Sequence, residues 1–210
     1  MKDDRENTPA GNHATYSEAY TEYQAKRSRW RQVLRRNYLE AAAKLTKGPA
    51  IDFGCGVGEL LKLLPAGSMG LEYNASTVQH CQTLGLPVHW YDGFADGFTL
   101  STVPKAESAN TLFLSHVLEH FDDPTHVLVN LIQSSQPAVE RVVVIVPGRA
   151  GFRIDKTHRT FVDAETIESA LTQLPGWGVQ RKRFFPINLS KAGDFLAHNE
   201  LQMVIDRDTA

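Results

Sequence analysis

Two carboxylates and a run of glycines carry the first candidate chemistry in the sequence. The stretch Ala50-Ile-Asp-Phe-Gly-Cys-Gly-Val-Gly-Glu-Leu-Leu61 brackets Asp52 with Ile51 and Phe53 and follows it with Gly54, Cys55, Gly56 and Gly58. Glu72 stands 20 residues after Asp52, within Gly70-Leu-Glu-Tyr-Asn74. A glycine turn lets backbone approach a ligand closely, and a helix that starts there points its N–H groups at the ligand. The pattern therefore describes a nucleotide-cofactor site. Charge selects the cofactor. Asp52 would repel a pyrophosphate and attract a ligand carrying an ammonium and a sulfonium. Glu72 falls where a carboxylate can accept both hydroxyls of a ribose.

A second set gathers downstream. Ser115-His-Val-Leu-Glu-His-Phe-Asp-Asp-Pro124 places His116, Glu119 and His120 at i, i+3 and i+4, on one face if the turn is helical. Gly151-Phe-Arg-Ile-Asp-Lys-Thr-His-Arg-Thr-Phe161 adds His158 beside Arg153, Asp155 and Arg159. Imidazoles titrate near neutrality, so His120 and His158 are candidate bases for a hydroxyl proton.

These residues need elements to hold them. The pattern predicts a short buried strand ending at Phe53 and a helix over 59–64. Strands over 68–72 and 88–91 follow, separated by a helix over 75–84 with Ser76 or Asn74 as its cap. Residues 95–105 read as loop or weak helix. A fourth strand covers 109–114 and delivers Ser115 and His116 to its carboxyl end, where ligands lie in doubly wound sheets. Asp122 or Asp123 with Pro124 caps a helix to about 134. A strand over 141–146, a helix over 164–174 and strands over 176–186 and 200–206 complete the order. Residues 189–199 link the last two strands and could reach over the site.

The motif Asp-Phe-Gly-Cys-Gly-Val-Gly with its acid-ended second strand resembles the first motifs of class I S-adenosylmethionine-dependent methyltransferases. The likeness runs from about 50 to 159. It implies an α/β, doubly wound, Rossmann-like sheet of seven strands, mostly parallel with an antiparallel last strand. It implies S-adenosyl-L-methionine as cofactor, held by Asp52, Gly54, Cys55, Gly56, Gly58, Glu72, Tyr73, Asp92, Gly93, Phe94, Ser115 and His116. Asp92 would bond the adenine amino group and Phe94 would lie near the base. Glu119, His120 and His158 would serve the acceptor side as catalytic residues. Glu119 and His120 also match the Glu-His of the Glu-x-x-Glu-His site in small-RNA 2′-O-methyltransferases and ubiquinone-pathway O-methyltransferases. His158 matches the downstream histidine of the former, and His116 replaces the first glutamate. This second likeness implies a candidate divalent-metal site at His116, Glu119, His120 and His158, better suited to Mn²⁺, Fe²⁺ or Zn²⁺ than to Mg²⁺.

The 210 residues read as one domain at 48–210 preceded by a mobile and then basic helical segment at 1–47. Tyr16, Tyr20 and Tyr23 recur near helical spacing, and Trp30, Val33, Leu34, Tyr38 and Leu45 share one face. Lys26, Arg27, Arg29, Arg31, Arg35 and Arg36 share the other. Residues 23–47 hold eight Lys or Arg against one Glu, so this segment is a candidate lid over an anionic acceptor. The formal net charge of −2 makes the whole molecule no polyanion binder. Two cysteines give no disulfide framework, and the polar start carries no secretory signal. The expectation is a cytoplasmic protein, a monomer or homodimer, with a small polar or anionic acceptor such as a sugar, nucleotide sugar or secondary metabolite. No membrane partner is expected, and nucleic acid is disfavoured. The other readings are a metal-assisted RNA 2′-O-methyltransferase and an S-adenosylmethionine-binding protein without catalysis. An NAD-linked oxidoreductase is weakest because of Asp52.

Overall fold

Val142 to Val146 form the longest strongly apolar run of the chain, and all five are essentially removed from solvent. A strand buried on both faces has to be central, with helices covering each side. The computed structural model describes residues 29–103, 109–135 and 137–208, and for 29–35 the backbone alone. It places this run in β5 (Arg141–Pro147), within a seven-stranded sheet.

The other strands are β1 (Ala50–Phe53), β2 (Met69–Glu72), β3 (Val88–Trp90), β4 (Thr111–Ser115), β6 (Trp177–Phe185) and β7 (Glu200–Arg207). Their order is β3-β2-β1-β4-β5-β7-β6, with β7 antiparallel to both neighbours. The doubly wound, mostly parallel sheet with an antiparallel last strand is therefore present as expected. The chain winds outward from β1 to β3 and then crosses back to β4, so β1 and β4 flank the switch point where such sheets open a crevice.

Strand alternation divides the core. Val142, Val144 and Val146 face a cluster with Leu128, Leu131 and Ile132 of helix α4 (Pro124–Ser134) and Ile167 of helix α6 (Ala164–Leu171). Val143, Ile145, Phe113 and Val204 face Ala42 of helix α1 (Arg29–Ala43) and Leu45 just beyond it. Helix α2 (Ala75–Thr83) covers the β2–β3 edge through Val78 and Cys81. Burial of this continuous apolar surface drives the fold, at roughly 25 cal/mol per Å².

Local chemistry sets the helix starts. Asn74 caps α2 by accepting from the Ser76 and Thr77 amides. Asp123, not Asp122, caps α4, with Pro124 in its first turn. Asp163 caps α6 through the Thr166 amide at 3.0 Å.

Two expectations change. The helix over 59–64 is only a 3₁₀ turn, Leu61–Leu63. Six residues separate Gly58, at φ 72, from Pro65, and Leu64 is extended as a residue before proline prefers. Residues 97–103 are turns and bends after a four-residue helix α3 (Gly93–Asp96), consistent with the loop or weak helix expected over 95–105. A short helix α5 (Arg149–Ile154) appears where the sequence suggests only a charged segment. Tyr16, Tyr20, Tyr23, Lys26 and Arg27 lie outside the described residues, as do the side chains of Arg29, Trp30, Arg31, Val33, Leu34 and Arg35. No helix among the described residues is long and apolar enough to cross a membrane.

Candidate functional site

Asp52 sits inside β1, in register with Gly70 of β2, and is 2% exposed. The following turn is tied to β2 by its own backbone. The Gly54 and Cys55 amides donate to the Leu71 carbonyl at 2.8 and 3.1 Å. Gly54 holds φ 70, and a Cβ there would stand 2.7 Å from Val117 Cγ2. Gly70 is equally constrained, because a Cβ would stand 2.6 Å from Cys55 Sγ. Contacts that short force a shift, so both positions require glycine.

Glu72 closes this turn. Its Oε2 accepts from the Gly56 amide at 2.9 Å and its Oε1 from the Asn74 amide at 2.8 Å. The carboxylate therefore holds the glycine turn and the start of α2 together. Burial raises its pKa, and the two amides partly counter that by bonding the charged form. Burial and then the charge of Glu72 push Asp52 up to about 7. Two carboxylates crowded in a dry site favour a cation between or beside them. Because the expected helix is only a 3₁₀ turn, the groups facing this crevice are the glycine turn's own backbone and the two acids, not a helix N-terminus.

Tyr73, Asp92, Gly93 and Phe94 form the neighbouring wall. Asp92 caps α3 by accepting from Ala95 N–H at 3.0 Å, the turn role open to an aspartate beside a glycine. Phe94 is 69% exposed, yet its ring meets Tyr73 at 6.5 Å, Phe98 at 5.6 Å and Phe121 at 5.5 Å. An exposed aromatic standing in such a cluster offers a face to a planar ligand.

Ser115 ends β4 opposite Ile145. The chain then turns sharply: His116 takes φ 56, a left-handed conformation that costs about 1 kcal/mol for a non-glycine residue. The helical face expected for His116, Glu119 and His120 does not form, since only Leu118–His120 make a 3₁₀ turn. His116 still meets Glu119, with Nδ1 at 3.4 Å from Oε1, while its Nε2 lies 3.0 Å from Glu200 Oε2. Desolvation of this half-buried ring pulls its pKa down, but the carboxylates of Glu119 and Glu200 outweigh that and push it up to about 10. His116 is therefore an imidazolium at neutral pH, held between two acids.

Glu119 is fully buried, and neither carboxylate oxygen has a hydrogen-bond partner among the described residues. Its backbone carbonyl accepts from the Arg159 and Thr160 amides at 2.8 and 3.2 Å, which draws the segment after α5 against it. That segment brings His158, whose Nε2 lies 3.8 Å from Glu119 Oε1, and the His120 and His158 rings stand 4.9 Å apart. Ligand atoms of Glu119, His120 and His158 all fall within 4.8 Å of one another. His116 stands outside that set. His158 Nδ1 lies 2.9 Å from the Phe152 carbonyl, and His120 Nδ1 lies 3.3 Å from the Thr157 carbonyl. A carbonyl only accepts, so each Nδ1 carries a proton, and in the neutral ring the lone pair is on Nε2. Burial lowers the His120 pKa.

The remaining charged residues of the segment serve the turn. Asp155 accepts from the Thr157 amide at 2.8 Å, and Arg159 pairs with Asp122 at 2.6 Å. Glu200 is a site residue that the motifs do not reveal. The available signal is two polar residues, Glu200 and Gln202, at i and i+2 before the apolar run Met203–Ile205; Gln202 Nε2 donates to Glu200 Oε1 at 2.7 Å.

Comparison with known proteins adds three findings. A family described as a methyltransferase domain matches residues 23–179. No curated protein matches the chain by sequence. Among solved structures, an S-adenosylmethionine-dependent methyltransferase from Archaeoglobus fulgidus is 19% identical with a TM-score of 0.65, covering 91% of this chain and all of that one. Magnesium protoporphyrin IX methyltransferase from Synechocystis PCC 6803, with bound S-adenosylhomocysteine, is 13% identical with a TM-score of 0.65 over 92% of this chain and 96% of that one. The [4+2]-cyclase SpnF is 14% identical with a TM-score of 0.62 over 88% and 84%. Identities this low establish a shared fold, and the cyclase illustrates that the fold alone does not fix a reaction.

Proposed function

The chain belongs to the methyltransferase-domain family, and on that premise we propose that it transfers the methyl group of S-adenosylmethionine to a hydroxyl of a small polar or anionic acceptor. The observation that carries the donor assignment is the pair of buried acids on the glycine turn. Asp52 faces the donor's positive end and Glu72 its ribose, while the exposed ring of Phe94 meets the adenine. The acceptor reacts at the carboxyl end of β4. Its oxygen forms the new O–C bond as the S–C bond breaks, and that bonding pair stays on sulfur. The hydroxyl proton passes to the lone pair on Nε2 of His120 or His158, with Glu119 beside them to stabilise the resulting imidazolium.

Thermal unfolding tests the donor. S-adenosylmethionine or S-adenosylhomocysteine at 100 times its Kd should stabilise the protein by about 2.7 kcal/mol, a Tm rise of roughly 5–10 °C. NAD⁺ at the same concentration should give none. A shift with NAD⁺ and none with either sulfur compound contradicts the assignment. Radiolabelled donor with matched hydroxyl and amine acceptors tests the second half. Label appearing only on amines contradicts O-transfer.

A second reading adds a divalent metal at Glu119, His120 and His158. Ligand atoms of one carboxylate and two imidazoles converge within 4.8 Å, and the Glu119 oxygens make no hydrogen bond among the described residues, the His116 imidazolium standing 3.4 Å from Oε1. A cation resolves that arrangement, and two imidazoles with one carboxylate suit Zn²⁺, Mn²⁺ or Fe²⁺. The backbone carbonyls behind both Nδ1 atoms fix the ring orientations that such a ligand set needs. Bound there, the metal would lower the acceptor hydroxyl's pKa. Protein purified without chelator should retain, or take up on titration, one equivalent of Zn²⁺ or Mn²⁺, and His158→Ala should not. Parent protein that binds neither ion contradicts this reading and leaves the donor assignment intact.

A further inference from the structure

We propose that the cavity beyond β5 is a binding site for a small ring compound carrying one anionic group, a phosphate or carboxylate, with Phe161 and Phe184 taking the ring and Arg149 and Lys191 taking the charge. The cavity measures about 240 Å³. It opens where Pro147 and Gly148 leave β5, at the carboxyl edge of the sheet, and Leu201 of β7 forms part of its apolar lining. An apolar cavity of ~150 Å³ holds benzene. The space here therefore admits one six-membered ring and a tetrahedral or planar anion, and not a nucleotide cofactor.

Two cations, Arg149 and Lys191, line the cavity beside two carboxylates, Asp163 and Asp194. Arg149 lies over the Phe161 ring, 4.4 Å from its centroid, which holds the guanidinium in place. Its Nε is 3.7 Å from Asp194 Oδ1, beyond hydrogen-bond distance, and both side chains are about half exposed. A pair this open holds weakly, so an incoming anion can compete for the guanidinium. Arg149 makes no hydrogen bond, and Lys191 no ion pair, among the described residues. Asp163, the other acid of the lining, is held in place by Thr166, whose amide and hydroxyl donate to its Oδ1 at 3.0 and 2.9 Å. A guanidinium already stacked on a ring keeps its planar fork of donors free for bidentate contact with phosphate or carboxylate.

The cavity adjoins the histidine cluster through a single aromatic wall. Phe152 stacks on His158 at 5.3 Å and 22°, and meets Phe161 edge-on at 5.5 Å. A molecule seated on Phe161 is thus two rings from His158. Two intervening rings keep a ligand of this size out of hydrogen-bond reach of His158, so the site is separate from the acceptor position of the proposed transfer.

Nuclear magnetic resonance titration of the full chain with phenyl phosphate, benzoate and inorganic phosphate tests the site. Phenyl phosphate or benzoate should shift the resonances of Gly148, Phe161 and Leu201, and whichever binds tighter identifies the anionic group. Arg149→Gln should weaken that binding at least tenfold and Lys191→Gln at least threefold. Both variants should keep the parent's affinity for S-adenosylhomocysteine. Inorganic phosphate binding as tightly as phenyl phosphate, shifts confined to other residues, or an Arg149→Gln affinity equal to the parent's would each overturn the proposal. Binding of the ring compounds without binding of S-adenosylhomocysteine would overturn the transfer reading and leave the site standing.

Discussion

Asp52→Asn is expected to melt higher than the parent chain at pH 8 and to lose its affinity for S-adenosylmethionine. Both effects come from one buried charge. Burial and the neighbouring Glu72 hold the folded-state pKa of Asp52 near 7, above its ordinary value of 3.8. The folded protein therefore binds a proton that the unfolded chain releases. Its stability falls as pH rises from about 4 to 7, and the penalty is complete above 7. Asparagine removes that penalty without changing the side chain's size. At pH 8 the gain should be roughly 2–4 kcal/mol, or a Tm rise of about 5–15 °C, and at pH 4 it should vanish. With the donor placed as proposed, the same substitution removes the charge facing its ammonium, so donor affinity should fall at least 30-fold. In the parent, affinity should rise with pH up to about 7 and then level. An Asp52→Asn protein that melts lower at pH 8 or binds the donor unchanged would contradict these roles for the buried acid.

Glu72→Ala should move stability in the opposite direction while also losing the donor. Glu72 accepts from two backbone amides, Gly56 and Asn74, and alanine leaves both without that partner. Orphaned amides in a part-buried turn cost about 1–3 kcal/mol. The ribose hydroxyls would lose their acceptor at the same time, and affinity for S-adenosylhomocysteine should drop at least 100-fold by calorimetry. The comparison with Asp52→Asn separates the roles: burial burdens both acids, and Glu72 alone offsets that by holding the Gly56 and Asn74 amides. A Glu72→Ala protein that binds S-adenosylhomocysteine within threefold of the parent would remove Glu72 from the ribose.

The glycine turn and its two acids are legible in the sequence because their signals are local. Ile51 and Phe53 bracket an acid in a buried strand, three glycines turn the chain, and a second acid ends the next strand. The mostly parallel seven-stranded sheet is expected from the family resemblance, and its strand order comes from the structure. Local patterning fails where geometry depends on distant partners. The spacing of His116 puts it on a helical face, but its backbone is left-handed and its ring pairs with Glu200, 84 residues away. Nothing in the spacing of His116, Glu119 and His120 points to that partner. The short helix α5 is hidden because it follows Pro147-Gly148 and contains Gly151, ordinarily signs of a break. Gly148 and Gly151 are there for close backbone approach: a Cβ would stand 2.6 Å from the Asn199 carbonyl oxygen at the first and 2.5 Å from that of Ala197 at the second. The convergence of Glu119 with His158 rests on two amide bonds from Arg159 and Thr160 to one carbonyl, which sequence does not display.

The proposed reaction depends on where the donor lies, and a crystal structure of the protein with S-adenosylhomocysteine measures that directly. Both ribose hydroxyls should lie within hydrogen-bond distance of the Glu72 carboxylate, the amino group on the Asp52 side of the glycine turn, and the adenine against Phe94. Adenosine bound away from Glu72 and Asp52 would contradict the donor site and the transfer built on it.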